Sequence, residues 1–325
     1  MAGRHALEEK IHALQALRDD PDSPATAAAL RKALNDRNNY FVSKAAALIG
    51  ELRLSSLAPD LVAAFPRFLD NPVKADTQCY AKTAIAKALK EFEYEVPDLY
   101  ISGLQHVQME PVFGGSEDTA ITLRGTCAMA LSTCRSLSDL AILRHLTGLL
   151  TDKALPVRRD AARAIAQLGR AEGALLLRLR VGCGDEPEVA GECFCSLLSL
   201  EERDAVPFVS GYLVDEFHDV AFEAAAALGQ SNMPEAAQAL IDRYPAVRTA
   251  RFREALLLAV GATRHPDAVD FLIGLIRSRD IPTATLAVTA LAPSLRRDEV
   301  LARVEQAVST TSSAALASVL RRSIR

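Results

Sequence analysis

A hydrophobic pattern that returns about every 31 residues is the feature that most limits what this chain can fold into. Its clearest copy lies in residues 157–169, where apolar or small side chains stand at offsets 0, +4, +5, +8 and +11. These offsets fall on one face of an α-helix. Copies of the pattern start at Phe41, Ala81, Leu123, Val157, Val189, Val220, Phe252 and Thr283. The spacing is 31 to 34 residues from the third copy onward, and 40 and 42 residues before it.

Each period holds this helix, called the B helix below, and a second apolar stretch. The second stretches indicate helices at residues 137–150, 171–181, 234–244, 267–276 and 298–308. The B helices of the same part of the chain are predicted at residues 156–169, 188–200, 219–229, 251–261 and 283–292. Half of the residues are hydrophobic, mostly Ala and Leu, which lead the helix propensity scale, and Trp is absent. The sequence therefore predicts a helical-hairpin repeat.

Acidic and basic residues recur at fixed offsets from the start of the pattern. An Asp stands five residues before it at Asp36, Asp76, Asp118, Asp152 and Asp215. A basic residue stands one position after it at Lys82, Arg124, Arg158 and Arg253. We expect each Asp to cap the start of a B helix and each basic group to pair with an Asp of a neighbouring repeat. Asp152 should then lie near its helix start, within reach of Arg124 or Arg158.

The stretch from Asp152 to Gly169 resembles a known repeat family. The residues that carry the resemblance are Asp152, Pro156, Val157, Arg158, Arg159, Ala161, Ala162, Ile165, Leu168 and Gly169. Their arrangement is similar to that of HEAT repeats, especially the short bacterial kind found in phycobilin lyase-type proteins, and the resemblance extends over about residues 24–325. It implies an all-α fold, a right-handed α-solenoid (superhelix) of HEAT-like helical-hairpin repeats. The family includes scaffolds, receptors and a few enzymes, so it implies little about function.

We expect residues 1–325 to form a single array of about eight or nine helical pairs. Residues 1–35 and 297–325 are predicted to be caps, with the repeats in 36–296. Residues 105–118 interrupt the pattern with a proline and two glycines and are predicted to form an insertion loop. Such a loop either decorates a binding face or packs against its own repeat.

The residues that usually carry chemistry form no recognisable catalytic pattern. Cys127, Cys134 and Cys193 occupy apolar template positions, where Cys acts as a small hydrophobic residue. Cys183, Cys193 and Cys195 match no common zinc spacing. The six histidines are dispersed. We therefore assign no catalytic, cofactor-binding or metal-binding residue, and we predict that the chain is not an enzyme.

Basic residues on successive B helices allow two interpretations. They are Lys44, Lys82, Lys87, Lys90, Arg124, Arg158, Arg159 and Arg163. A basic stripe can follow a nucleic-acid backbone, as in the HEAT-like alkylpurine DNA glycosylases, but those enzymes use Trp and this chain has none. The alternative, which we favour, is that many of these groups pair with the periodic Asp residues.

The favoured function is a non-catalytic scaffold or adaptor that binds a protein or an extended peptide on the concave B-helix face. The candidate partner-binding residues are Arg159, Arg163, Lys82, Arg124, Met109 and Phe113. Among them, Arg159 and Arg163 should project freely, whereas those at offset +1 should be used in ion pairs. Nucleic acid is the less favoured partner, and a chromophore lyase or chaperone is a third alternative. Residues 1–10 have no signal-peptide core and no stretch reads as a membrane span, which predicts a cytoplasmic protein without a membrane partner.

Overall fold

The computed structural model describes residues 2–215, 217–278, 280–311 and 313–324. They form two compact units that divide between Leu168 and Gly169, called unit 1 and unit 2. Both units consist almost entirely of helices joined by short connections. The predicted all-α, HEAT-like class is therefore confirmed, while the right-handed superhelix and the single array with two caps stay predictions.

Unit 1 contains ten α-helices and one β-hairpin among its described residues. They are α1 (Ala2–Ala16), α2 (Pro24–Leu34), α3 (Asn39–Glu51), α4 (Ala58–Ala64), α5 (Pro72–Ala75), α6 (Tyr80–Glu91), α7 (Pro97–Leu104), β1 (Met109–Val112), β2 (Gly115–Asp118), α8 (Ile121–Leu131), α9 (Asp139–Leu149) and α10 (Leu155–Leu168). The B helices α3, α6, α8 and α10 pack on one another in that order.

Unit 2 repeats the same arrangement. Its helices are α11 (Ala171–Gly182), α12 (Pro187–Glu201), α13 (Val206–Ser210), α14 (Asp219–Gln230), α15 (Pro234–Arg243), α16 (Ala250–Ala262), α17 (Pro266–Ile276), α18 (Ile281–Ala290), α19 (Asp298–Thr310) and α20 (Ala314–Ser323). The B helices α12, α14, α16 and α18 again pack in sequence order. Five B helices were predicted from residue 156 onward, together with five intervening helices. All ten begin and end within two residues of their predicted bounds.

The periodic apolar face is the core of each repeat. On α10, the side chains of Val157, Ala161, Ala162 and Ile165 are fully buried, as the offsets predict. Burying a large aliphatic side chain such as Ile165 contributes roughly 1.5–3 kcal/mol. The stacked apolar faces therefore supply the main stabilisation of each unit.

Glycines set the closest approach between B helices of unit 2. A Cβ built on Gly229 would lie 2.7 Å from the carbonyl oxygen of Ala259, and one on Gly261 would lie 2.0 Å from that of Ala290. Any larger residue at these positions would force the neighbouring backbone away. The small side chains are thus required by the helix spacing itself.

The stretch predicted to be an insertion loop, residues 105–118, contains a two-stranded antiparallel hairpin. Met109 pairs with Asp118 and Val112 with Gly115, so Phe113 and Gly114 form a two-residue turn. Gly114 has a φ of 88°, which a residue without a Cβ adopts at little cost. The stretch is thus an ordered hairpin, which the sequence pattern did not predict.

None of the described helices combines the length and the apolar character needed to cross a membrane.

The close approach at Gly261 yields a test of the packing. Gly261→Ala should lower the free energy of unfolding by roughly 1–3 kcal/mol, because the added methyl group overlaps the carbonyl of Ala290. Gly274→Ala, in α17, is the matched control: its Cβ would enter open space, and the higher helix propensity of Ala should make this variant equally or slightly more stable. Urea unfolding of both variants is the measurement, and equal stabilities would contradict the packing.

Candidate binding groove

Asp76 and Lys82 form a buried ion pair beneath the start of α6. The Asp76 carboxylate accepts the backbone N–H groups of Ala81 (2.8 Å) and Lys82 (3.0 Å), two of the amides that a helix start leaves without an intrahelical partner. The Nζ of Lys82 lies 3.0 Å from the same carboxylate and donates to the carbonyl of Phe68 at 3.0 Å. Both charged side chains are fully buried, so each depends on the other for compensation.

Gln108 joins this ion pair to the hairpin. Its side-chain oxygen accepts from Lys82 (2.9 Å), and its Nε2 donates to the carbonyl of Asp76 and to the carboxylate of Glu110, both at 2.7 Å. Glu110 lies on β1, is 3% exposed, and also accepts from the Thr119 hydroxyl at 2.8 Å. Burial by itself would raise the pKa of Glu110, but the hydrogen bonds from Gln108 and Thr119 bring it below its usual value. The carboxylate is therefore ionised at neutral pH.

Gln78 and Cys79, just before α6, have left-handed backbone conformations, with φ of 62° and 53°. Such conformations cost roughly 1–3 kcal/mol each for residues other than Gly and persist only where their surroundings hold them. Here the N–H of Gln78 donates to the Glu110 carboxylate at 2.6 Å, and that of Cys79 donates to the carbonyl of Asp76 at 2.9 Å. The hairpin thus fixes the turn that leads into α6.

Arg124 forms a second buried cluster at the start of α8. Its guanidinium donates to Asp152 at 2.9 and 3.1 Å, lies 2.8 Å from Asp118, and donates to the carbonyl of His106 at 3.0 Å. Burial would raise the pKa of Asp118, yet the hydrogen bond from Arg124 keeps it below its usual range. Asp152 also accepts from the N–H of Ala154 at 2.8 Å, just before α10. The predicted position of Asp152, near its helix start and Arg124, is confirmed.

Basic residues at offset +1 elsewhere bind the main chain. Arg158 donates to the carbonyl of Asp152 at 2.7 Å, and Arg253 donates to that of Val247 at 2.9 Å. Each of these carbonyls lies six residues before the arginine. The offset +1 is therefore an inward position, although its partner is a carboxylate in some repeats and a carbonyl in others.

A groove of about 740 Å³ lies above the first cluster, on the exposed side of α3, α6 and the start of α8. Its floor is made of small residues, Ala47 and Gly50 from α3 and Ala84 and Ala88 from α6. A Cβ on Gly50 would lie 3.4 Å from Ala88, so the two helices nearly touch there. Because the floor carries only small side chains, the helix backbones lie close to the surface of the groove.

Three cations and two carboxylates line the groove. Among the described residues, Lys44, Arg53 and Lys87 make no ion pair. The two carboxylates do: Glu51 pairs with Arg18, and Glu91 lies 3.7 Å from Lys90. The unpaired charge in the groove is therefore positive.

An aromatic pair stands at the N-terminal ends of α3 and α6. The rings of Tyr40 and Tyr80 meet edge to face with centroids 5.7 Å apart, and both are partly exposed. The Nζ of Lys44 lies 4.9 Å from the centre of the Tyr40 ring, a cation–π arrangement. The ring thus restrains the ammonium group at the edge of the groove.

The structure corrects two of the predicted partner-binding residues. Lys82 and Arg124 are 0% and 2% exposed and belong to the two internal clusters, so they are not available to a partner. A basic residue at offset +1 points toward the repeat interior, where an Asp or a carbonyl receives it.

The other predicted partner-binding residues lie at the surface, outside the lining of the groove. Arg159 is half-buried, and its Nε has no hydrogen-bond partner among the described residues. Arg163 is exposed, with its guanidinium 3.6 Å from Asp160. Met109 is 50% exposed, and Phe113, at the hairpin turn, is fully exposed.

Sequence reasoning missed the residues that shape the groove. The sequence indicates Lys44 and Lys87 only as members of a basic stripe, although their offsets, +3 and +6, place them away from the buried face. Glu110 and Gln78 carried no signal, because their contact joins residues 32 positions apart through a hairpin that was not predicted.

The cysteines behave as the template positions indicate. Cys127 and Cys193 are buried, and burial raises the pKa of the Cys193 thiol to about 12. Cys79, which is among the residues that line the groove, is also buried, and burial raises its pKa to about 11. These thiols are protonated at neutral pH and are poor nucleophiles.

No protein-family model and no curated protein matches the chain. Solved structures do resemble it. One chain in the structure of the complex of CpcE and CpcF of phycocyanin lyase from Nostoc sp. PCC7120 aligns at 17% identity over 78% of this chain and 94% of that chain, with a TM-score of 0.39. Human deoxyhypusine hydroxylase aligns at 20% identity over 81% and 99%, with a TM-score of 0.31. An engineered protein aligns at 16% identity over 98% and 88%, with a TM-score of 0.38.

These comparisons correct the prediction that the chain is not an enzyme. Phycocyanin lyase and deoxyhypusine hydroxylase are both enzymes by name, so the lack of a recognisable catalytic motif does not support a non-enzymatic role. TM-scores below 0.5 and identities of 20% or less transfer no activity, substrate or site to this chain.

The Arg124 cluster generates a stability prediction. Arg124→Met should lower the free energy of unfolding by roughly 3–5 kcal/mol, because it leaves the carboxylates of Asp118 and Asp152 without their shared cation. Lys90→Met removes an exposed cation, 3.7 Å from Glu91, and should cost no more than about 1 kcal/mol. Urea unfolding of both variants checks this, and an Arg124→Met protein as stable as Lys90→Met would show that the cluster is dispensable.

Proposed function

We propose that unit 1 binds an extended polypeptide segment in the groove across α3, α6 and the start of α8. The observation that carries the proposal is the combination of a floor of small residues with cations that make no ion pair among the described residues. A floor of Ala and Gly lets a backbone approach the helices closely. A segment lying there would bury only a small part of its own surface, and it would gain affinity from many shallow contacts.

The dimensions suit a short stretch of extended chain. From Ser43 to Glu51 the groove follows α3 for roughly 12 Å, at 1.5 Å per residue. Across three helices spaced 8–10 Å apart it spans roughly 16–20 Å. An extended polypeptide rises about 3.3 Å per residue, so five or six residues cross the groove.

The charges favour a polypeptide over nucleic acid as the ligand. A phosphate backbone carries a negative charge at every nucleotide and requires a surface that stays positive along its path. Glu51 and Glu91 both line the groove, and a continuous phosphate backbone would meet them. A polypeptide can place neutral residues opposite these carboxylates.

The hairpin extends the proposed binding surface beyond the groove. Its Glu110 bonds to Gln78, which lines the groove, so the hairpin stands directly beside it. We propose that Met109 and Phe113 provide apolar contacts to residues that flank the bound segment. Arg159 and Arg163 remain proposed contacts for a longer partner. Binding of this kind serves scaffolds and enzymes alike.

The test is selection of random twelve-residue peptides displayed on phage against the wild-type chain, followed by fluorescence anisotropy of the selected peptides. Ala47→Trp places an indole on the floor of the groove, where the alanine is exposed, and should weaken binding at least about tenfold. Ala28→Trp, at an exposed alanine of α2 outside the groove, is the matched control and should bind within about twofold of wild type.

Urea unfolding should show that both Trp variants are folded. Peptides that bind Ala47→Trp as tightly as wild type would contradict the proposal. So would a selection that yields no binding peptide while duplex or single-stranded DNA binds the groove.

A further inference from the structure

We propose that the bound segment is acidic, and that Lys44, Arg53 and Lys87 receive its carboxylates. This inference rests on the proposed function, because it names the class of polypeptide that the same groove selects.

The charges that line the groove leave an excess of cations. Glu51 and Glu91 have basic neighbours, Arg18 and Lys90, that are not among the residues lining the groove. Lys44, Arg53 and Lys87 have no such carboxylate among the described residues. Within the described part of unit 1, these three cations therefore have no carboxylate partner, and a ligand can supply one. An acidic segment provides them, whereas a basic segment would meet uncompensated like charges.

The Tyr40 ring restrains the side chain of Lys44. Its ammonium group lies 4.9 Å from the centre of the Tyr40 ring, which is itself held edge to face against Tyr80. A lysine side chain normally loses considerable rotamer entropy when it forms an ion pair. The ring has already reduced that freedom, so a carboxylate binding to Lys44 incurs less of this cost.

A carboxylate in the groove can accept a hydrogen bond from a hydroxyl group, whereas a purely apolar ligand cannot. Two hydroxyls that line the groove are already engaged: Ser43 donates to the carbonyl of Tyr40 (2.7 Å) and Thr119 donates to Glu110 (2.8 Å). Thr122 is exposed at the start of α8 and has no hydrogen bond from its side chain within the described part of the chain. Its hydroxyl can donate to a carboxylate held by the cations.

Charge of this kind sets selectivity and association rate more than affinity. Exposed ion pairs contribute about 0–1 kcal/mol each and are screened by salt. The binding of an acidic segment should therefore be moderate in strength, clearly dependent on charge, and weaker at higher ionic strength.

The experiment uses three fluorescein-labelled decapeptides in which Ser alternates with Glu, Gln or Lys, and measures anisotropy at 50 and 300 mM NaCl. The wild-type chain should bind the Glu peptide at least about tenfold more tightly than the Gln peptide at low salt, and more weakly at high salt. The Lys peptide should bind most weakly of the three.

Matched double variants locate the effect. Lys44→Glu with Lys87→Glu should weaken binding of the Glu peptide at least about tenfold. Lys32→Glu with Lys74→Glu makes the same charge change at two exposed lysines outside the groove and should have less than about a threefold effect. Urea unfolding verifies that both proteins are folded.

Three results would overturn the inference: no preference for the Glu peptide, an equal loss in the two double variants, or no binding of the Glu peptide at all. Tighter binding of a ten-nucleotide single strand that the groove double variant abolishes would also overturn it. Different results would contradict the proposed function itself, which is the binding of a polypeptide in the groove. If the Gln peptide binds as tightly as the Glu peptide and Ala47→Trp blocks both, the groove binds polypeptides without selecting acidic ones. Peptide binding that Ala47→Trp leaves unchanged contradicts the proposed groove itself.

Discussion

The hydrogen bond from the backbone of Gln78 to the buried carboxylate of Glu110 is the contact on which the organisation of unit 1 depends. It holds two consecutive left-handed residues at the entry to α6, a conformation that the local sequence does not favour. The same carboxylate is tied through Gln108 to the Asp76–Lys82 ion pair. One hairpin residue therefore connects the helix start, the buried charges and the edge of the groove.

This arrangement explains how a plain helical repeat acquires a distinctive surface. Stacked B helices alone present a face of small residues, and such a face carries few charged or hydrogen-bonding groups. The hairpin fixes Gln78 at the edge of that face, and the buried cluster binds Lys82 internally, while Lys44 and Lys87 remain exposed. Basic residues that look alike in the sequence therefore have different roles. Their offset in the repeat decides whether they are buried and structural or exposed at the surface.

The sequence predicted the helices well because an apolar period is a local property that survives in every repeat. It also predicted that Asp152 lies near its helix start and within reach of Arg124 or Arg158, since all three stand at fixed offsets from the pattern. It failed for the hairpin, because β1 and β2 lack alternating apolar residues and contain a proline and a glycine. The contact of Glu110 with Gln78 depends on that hairpin and could not be inferred from either residue alone.

The most direct test of this account is the hydrogen-exchange rate of the Gln78 amide, measured by NMR in the wild-type chain and in Glu110→Met. Met keeps the length of the side chain but removes the carboxylate that accepts the Gln78 N–H. The account predicts at least about tenfold faster exchange at Gln78 in the variant, with unchanged rates in α16 as an internal reference. Equal rates at Gln78 in the two proteins would contradict the claim that the hairpin fixes the entry to α6.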